Sequence, residues 1–250
     1  MKVSLERFVP NQRNGGIISD LFHNKRLNFL EAEHFERYDF ACKYVKNKKI
    51  LDIACGTGYG SYIMMKNGAS YVLGADVSNE SIESAKKNYI ADNLNFECLD
   101  TNSVLSRDEK FDAIVSFETI EHLENPEEFI RGVKRCLKKD GIFFLSTPNR
   151  NIHNPGATLF NKPKNIFHVR EYTVAEMSEL LEKEFTIEEI YSQGNYPKTK
   201  FSTIRKLHRY RKAIMIFYEK GVKKITSVGT LPKNQEPSYM IIKSINSRSI

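Results

Sequence analysis

The chain has 250 residues, 40% of them hydrophobic, enough for one α/β domain with a sizeable core plus a lobe or insertion. Its four cysteines, Cys42, Cys55, Cys98 and Cys136, lie far apart without a CxxC pair, which argues against a disulfide framework and a zinc knuckle and fits a reducing cytoplasm. The opening MKVSLERFVP lacks the apolar core of a signal peptide and no apolar run is long enough to span a bilayer, so a soluble, cytoplasmic protein is expected.

In chain order, residues 1–47 are separate in character. LERFVPNQRNGG reads as a loop, and EAEHFERYDFACKYV as a helix that caps the sheet. From residue 48 to 250 strand and helix signals alternate, the pattern of a parallel sheet covered by helices. KILDIA (49–54), YVLGADV (71–77), NFECLD (95–100), FDAIVSF (111–117) and GIFFLST (141–147) read as five successive strands. SIESAKKNYIADN and PEEFIRGVKRCLKK have helical spacing, the second with Asn125 as N-cap and Pro126 in first position. Thr173 and Glu176 predict a capping box opening VAEMSELLEK. FTIEEIYS (185–192) and SYMIIKSI (238–245) supply two late strands, with an insertion at about 195–235 between them. The fold predicted is α/β and Rossmann-like, with a seven-stranded, mostly parallel sheet and helices on both faces.

LDIACGTGYGS places a glycine-rich turn directly after the first strand, where open α/β sheets bind ligands. Gly56, Gly58 and Gly60 are out of step with G-x-G-x-x-G, and no Gly-Lys-Ser/Thr follows, so dinucleotide and P-loop readings are weak. Asp52 near the turn suits an amino group, and Asp76 at the end of the second strand can accept both ribose hydroxyls. Asp100, at the end of the third, is placed for an adenine amino group. These acids and close glycines, which let a ligand approach the backbone, together suit a cationic nucleoside.

Strand four runs into SFETIEHLENP. A short helical turn there puts Glu118, Glu121 and His122 on one face, at i, i+3 and i+4. A hydroxyl that is to attack as a nucleophile needs its proton removed, so Glu121 or His122 can serve as base. Alternatively Glu118, Glu121 and His122, with His168 from NIFHVREYT as a fourth ligand, can hold Mg²⁺ or Mn²⁺ that acidifies the hydroxyl.

From Ile50 to Asn149 this arrangement resembles the class I S-adenosylmethionine methyltransferases, with Ala54 where a first glycine is usual. The likeness implies S-adenosylmethionine as cofactor, with Gly56 and Gly58 beneath it and Phe117 beside its methionine part. It also implies that Arg37, on the helix before the loop, reaches the cofactor carboxylate; His34, one turn earlier on the same face, lines the acceptor pocket. E-x-x-E-H with the later histidine resembles metal-dependent 2′-O-methyltransferases of small-RNA ends, and the Glu-His pair also resembles ubiquinone-type O-methyltransferases. LERFVP, AEHFERYDFA, STPN and FHVREYT are similar to bacterial methyltransferases of surface-polysaccharide and glycan assembly. The function implied is methyl transfer to a hydroxyl of a sugar or glycan precursor, nucleotide- or lipid-linked. An RNA ribose 2′-O-methyltransferase and a non-catalytic cofactor-binding or scaffolding protein are the alternatives.

The net charge of +7 belongs to one segment: residues 195–235 hold eleven Lys or Arg against the single acid Glu219. IRKLHRYRKAIMIFYEKGVKKI has apolar residues at helical spacing among the cations. Three readings compete: an amphipathic helix on an anionic membrane surface, which would make the protein peripheral to the membrane; a holder of phosphates of a nucleic acid or nucleotide-sugar; or a helix docked on the sheet or on a second subunit.

Overall fold

The structure, a computed structural model, describes residues 29–197 and 227–247. The loop expected at LERFVP and the cationic helical spacing from Ile204 to Phe217 lie outside these residues. The strands are β1 (Lys49–Ile53), β2 (Tyr71–Asp76), β3 (Leu94–Cys98), β4 (Phe111–Phe117), β5 (Leu137–Pro148), β6 (Thr186–Pro197), β7 (Gly229–Thr230) and β8 (Gln235–Ile245). The helices are α1 (Phe29–Cys42), α2 (Tyr59–Lys66), α3 (Asn79–Asn88), α4 (Thr101–Leu105), α5 (Pro126–Cys136), α6 (Arg150–His153) and α7 (Val174–Glu182), with a 3₁₀ turn over Ile120–His122.

One sheet runs in the order β3-β2-β1-β4-β5-β8-β6-β7. β1 to β5 pair in parallel, whereas β8 is antiparallel to both β5 and β6. Six strands thus share a direction and β8 and β7 oppose them, in keeping with the mostly parallel sheet expected. The eighth strand, β7, comes from the insertion and pairs with β6 through only two residues, Thr230 and Gly229. Two residues carry no alternation to read, so seven strands are expected and eight are found.

Helices cover both faces because the central strands are apolar on alternate and on consecutive positions alike. Leu51, Ile53, Ile114, Phe143 and Leu145 face one layer, where Val104, Phe129, Ile130, Val133, Met177 and Leu181 of α4, α5 and α7 close over them. Ile50, Val72, Val115 and Phe144 face the other, against Tyr38, Phe40 and Ala41 of α1, Met64 of α2 and Ile82 of α3. The N-terminal helix therefore shares the core of the sheet. The thiols of all four cysteines are free.

Two boundaries differ from expectation. Helix α3 stops at Asn88, because Tyr89 is already extended at φ −128°. Helix α5 stops at Cys136, and Leu137 instead pairs with Phe111 to begin β5. Asn125 is the N-cap of α5 without a side-chain capping bond, whereas the Thr173–Glu176 capping box forms in full.

Candidate functional site

The carboxyl edge of the sheet opens into a cavity of about 610 Å³. Along it the strand order puts Asp100 after β3, Asp76 at the end of β2, the glycine loop after β1 and Glu118 after β4. Gly56, Asp76, Asp100, Phe117, Glu118 and His122 line the cavity, as does His34 from α1.

Asp76 braces the loop from below. Its Oδ2 accepts from the Gly56 amide at 2.9 Å and its Oδ1 from the Ser78 amide at 2.8 Å. Ala54 sits at φ +59°, the left-handed region that favours glycine, so its methyl group costs roughly 1 to 2 kcal/mol. Asp100 caps α4 through the Ser103 amide at 2.7 Å, and that bond lowers its pKa. A capping carboxylate kept ionised retains lone pairs for an amino group beside it.

Three expected cofactor contacts are placed elsewhere. Asp52 shares its face of β1 with Ile50, so it points beneath α1 and α2 and not into the cavity. There its carboxylate accepts from Ser61 Oγ at 2.6 Å and Tyr38 Oη at 3.1 Å, and burial pushes its pKa up to about 7. Gly58 is turned away too: a side chain on it would strike Ala85 and Phe96 at 2.6 Å, so its role is helix packing. Arg37 lies fully buried behind the cavity wall. Its Nε donates to Gln193 Oε1 at 2.9 Å, Nη1 lies 3.4 Å from Glu118 Oε1, and the guanidinium stacks 4.3 Å from the Tyr239 ring centre. Burial pulls its pKa down, but Glu118 and its other neighbours outweigh that and raise it.

Glu118 departs from expectation as well. It precedes the 3₁₀ turn at φ +53°, and its side chain turns to Arg37 and to Ser146, whose hydroxyl donates to Oε1 at 2.8 Å. The shared face with Glu121 and His122 therefore does not form. Instead, Glu121, His122 and His168 present ligand atoms within 4.8 Å of one another. The loop bearing His168 is strapped there by the Val169 and Arg170 amides, which donate to the Glu121 carbonyl at 2.8 and 3.1 Å.

The histidine tautomers follow from their partners. His168 Nδ1 faces Glu171 Oε1 at 2.8 Å, and a carboxylate there can only accept, so Nδ1 carries the proton. His122 Nδ1 likewise faces the Phe167 carbonyl at 2.9 Å. In the neutral form of each ring the lone pair is then on Nε2; that of His168 accepts from Asn165 Nδ2 at 3.0 Å, a bond that a metal ion would replace. A histidine braced by a carboxylate or carbonyl is the usual support of a metal ligand. Glu121 is buried, with Thr147 Oγ1 donating to Oε2 at 2.9 Å and Oε1 lacking a hydrogen-bond partner. Burial first, and the Glu118 charge second, raise its pKa to about 8. An orphaned carboxylate oxygen beside two imidazole acceptor nitrogens fits a divalent cation.

Sequence reasoning missed the supports of this cluster. Arg150 donates to the Ala157 and Glu171 carbonyls and to Glu176, tying the loop after α6 to α7. The only signals were Asn149 and Arg150 at the end of STPNR and Glu171 three residues after His168. Thr119, Leu123 and Phe167, beside His122 on the cavity wall, were also unassigned.

A family described as methyltransferase domain matches residues 45–210. A Mycolicibacterium smegmatis protein named as a probable S-adenosylmethionine-dependent methyltransferase is 30% identical over 155 residues, covering 62% of this chain and 58% of its own. A ubiquinone biosynthesis O-methyltransferase of Haemophilus ducreyi is 34% identical over 135 residues, 51% of this chain and 57% of its own. The chain thus spans little more than half the length of these curated relatives. In fold it is similar to the crystal structure of an S-adenosylmethionine-dependent methyltransferase from Mesorhizobium loti, with TM-score 0.61 and 17% identity, covering 87% of this chain and all of the other.

Proposed function

Because the chain belongs to the methyltransferase-domain family, whose match spans residues 45–210, we propose that it moves the methyl group of S-adenosylmethionine to the oxygen of a hydroxyl acceptor. The observation that supports oxygen is the Glu121, His122 and His168 cluster beside the cofactor cavity. A neutral hydroxyl is a poor nucleophile, and this cluster offers two ways to remove its proton. His122, on the cavity wall with its lone pair on Nε2, accepts the proton as the oxygen attacks the methyl carbon in line with the departing sulfur. Thr147 and the strap at residues 169–170 hold Glu121 in place, and Glu171 orients His168.

A second reading keeps the same cluster as a holder of Mg²⁺ or Mn²⁺. Glu121, His122 and His168 would be the ligands, and the ion when bound would lower the pKa of the acceptor hydroxyl. Glu118 is not in the donor cluster. A sugar or glycan precursor is the acceptor class we favour, on the sequence likeness of the flanking motifs; the RNA ribose is its rival.

Labelled S-adenosylmethionine, offered with a nucleotide-sugar, a catechol and a short RNA, tests the reading. Label is expected on an oxygen of one hydroxyl acceptor, with His122→Ala lowering the rate at least about a hundredfold. Loss of transfer on chelation and recovery with Mn²⁺, at unchanged cofactor affinity, would select the metal-holding form. Transfer confined to amine or thiol acceptors would overturn the proposal.

A further inference from the structure

Of the six large apolar side chains exposed among the described residues, four fall in one loop, Phe160, Ile166, Phe167 and Val169, whereas Val77 and Ile90 stand apart from it. Phe160 is 95% exposed and Ile166 76%. Single apolar side chains on a surface are ordinary, but several gathered in one loop mark a surface that meets something.

The loop is shaped to hold them out. Two turns close through the Asn161 amide on the Thr158 carbonyl and the His168 amide on the Asn165 carbonyl, each at 3.2 Å. Asn161 Oδ1 also accepts from the Thr158 amide at 2.6 Å, and Asn165 Oδ1 from the Phe167 amide at 3.2 Å. Phe160 is a central residue of the first turn, and Ile166 and Phe167 are the central pair of the second. Such positions ordinarily carry Gly, Pro, Asn, Asp or Ser. Leu159 packs on the core and Pro163 is buried, so the loop is anchored from within while its tips stand in the open. Phe167 also lines the cavity, which sets the second turn at the cavity rim. A bare side chain at a turn tip is convex, suited to entering a soft apolar medium. Charge says which medium: residues 141–170 contain no Asp or Glu, and Lys162 and Lys164, between the two turns, are exposed. Apolar tips beside lysines match the boundary of an anionic bilayer, where acyl chains take the first and headgroup phosphates the second.

We propose that the loop at 158–169 docks on the surface of an anionic phospholipid bilayer, with Phe160 and Ile166 entering the acyl boundary and Lys162 and Lys164 on the phosphates. The cavity rim at Phe167 then faces the bilayer. This goes beyond the methyl-transfer reading, because docking needs neither cofactor nor acceptor.

The chain has no tryptophan, so a single introduced one reports on its own surroundings. Phe160→Trp, in the full chain with vesicles of phosphatidylcholine and phosphatidylglycerol, should shift its emission to the blue and be quenched by lipids brominated along the acyl chain. Ile90→Trp, exposed just before β3 and away from the carboxyl edge, should show neither. Phe160→Ser combined with Ile166→Ser should weaken sedimentation with these vesicles at least about tenfold. Lys162→Gln combined with Lys164→Gln should weaken it at least about tenfold too, with no change on pure phosphatidylcholine. Vesicle binding that leaves the Phe160→Trp emission unchanged would put the contact elsewhere in the chain, and a parent protein that binds no vesicles would have no such contact; either overturns the proposal. A dimer that Phe160→Ser with Ile166→Ser dissociates, with no vesicle bound, would give the tips to a second copy and overturn it as well.

Discussion

Glu121 combines complete burial with an oxygen that has no hydrogen-bond partner, and its pKa is pushed up to about 8 by burial and by Glu118. In the unfolded chain its carboxyl titrates near 4.5. Between those values the folded state binds more protons than the unfolded one, so stability falls as pH rises from about 4.5 towards about 8. Above that range both states are ionised and the full cost of the buried charge is present. Glu121→Gln keeps the shape and removes the titration. Its stability should match the parent's near pH 5 and exceed it increasingly up to pH 8, by more than about 1 kcal/mol there with a correspondingly higher Tm, since each tenfold change in a protonation equilibrium is worth about 1.4 kcal/mol. Thermal scans from pH 5 to 9 in chelator measure this; a Tm difference that does not vary with pH would show that Glu121 has an ordinary carboxyl.

The glycine loop separates what was legible in the sequence from what was not. Its place after β1 and its lack of a phosphate signature could be read from spacing alone, yet the division of labour between its glycines could not. Gly56 lies at φ +56°, and a methyl group on it would meet nothing within 4 Å, because that space is the cavity. Gly58, at φ +83°, would drive a methyl group into Ala85 and Phe96. Gly58→Ala should therefore lower stability by roughly 2 to 4 kcal/mol, combining overpacking with backbone strain. Gly56→Ala should cost only about 1 kcal/mol of stability. Its cofactor affinity should nonetheless fall at least about tenfold, from crowding of the ligand. Thermal melts and calorimetry on both variants check the contrast, which fails if the two behave alike. The same limit applies to the acids. Composition and period found Asp52, Asp76 and Asp100 near strand ends, but the one-residue alternation that hides Asp52 under Tyr38 and Ser61 depends on which face α1 and α2 cover. The distant supports, Arg150 and Glu171, were invisible because their partners come from a loop whose course is set by tertiary contacts.

At the scale of the whole molecule, the acids lie at one edge of the sheet and the excess of cations in one stretch of the sequence. β6 runs in the direction of β5, so its end at Pro197 lies at the carboxyl edge, where Pro197 pairs with Gln235 at the start of β8. Pro197, which the cation-rich stretch follows in sequence, thus lies on the side where Asp76, Asp100 and Glu118 line the cavity. Eleven cations in one stretch of sequence suit an anionic acceptor or the anionic surface that presents it, and we propose that they serve such a partner. Neutralising Arg205, Lys206, Arg209 and Arg211 together should leave S-adenosylmethionine affinity within about twofold, because the acids that would hold it lie elsewhere in the chain. Binding to vesicles containing anionic lipid should fall steeply between low and physiological salt in the parent and much less steeply in the variant, since about four fewer charges are engaged. A short RNA assayed alongside separates the two anionic partners: a salt slope that appears with RNA and not with vesicles would move the acceptor from a membrane-presented glycan to a ribose. If neither partner binds and salt has no effect on either protein, the cations serve solubility or packing, and the step from charge to partner is wrong.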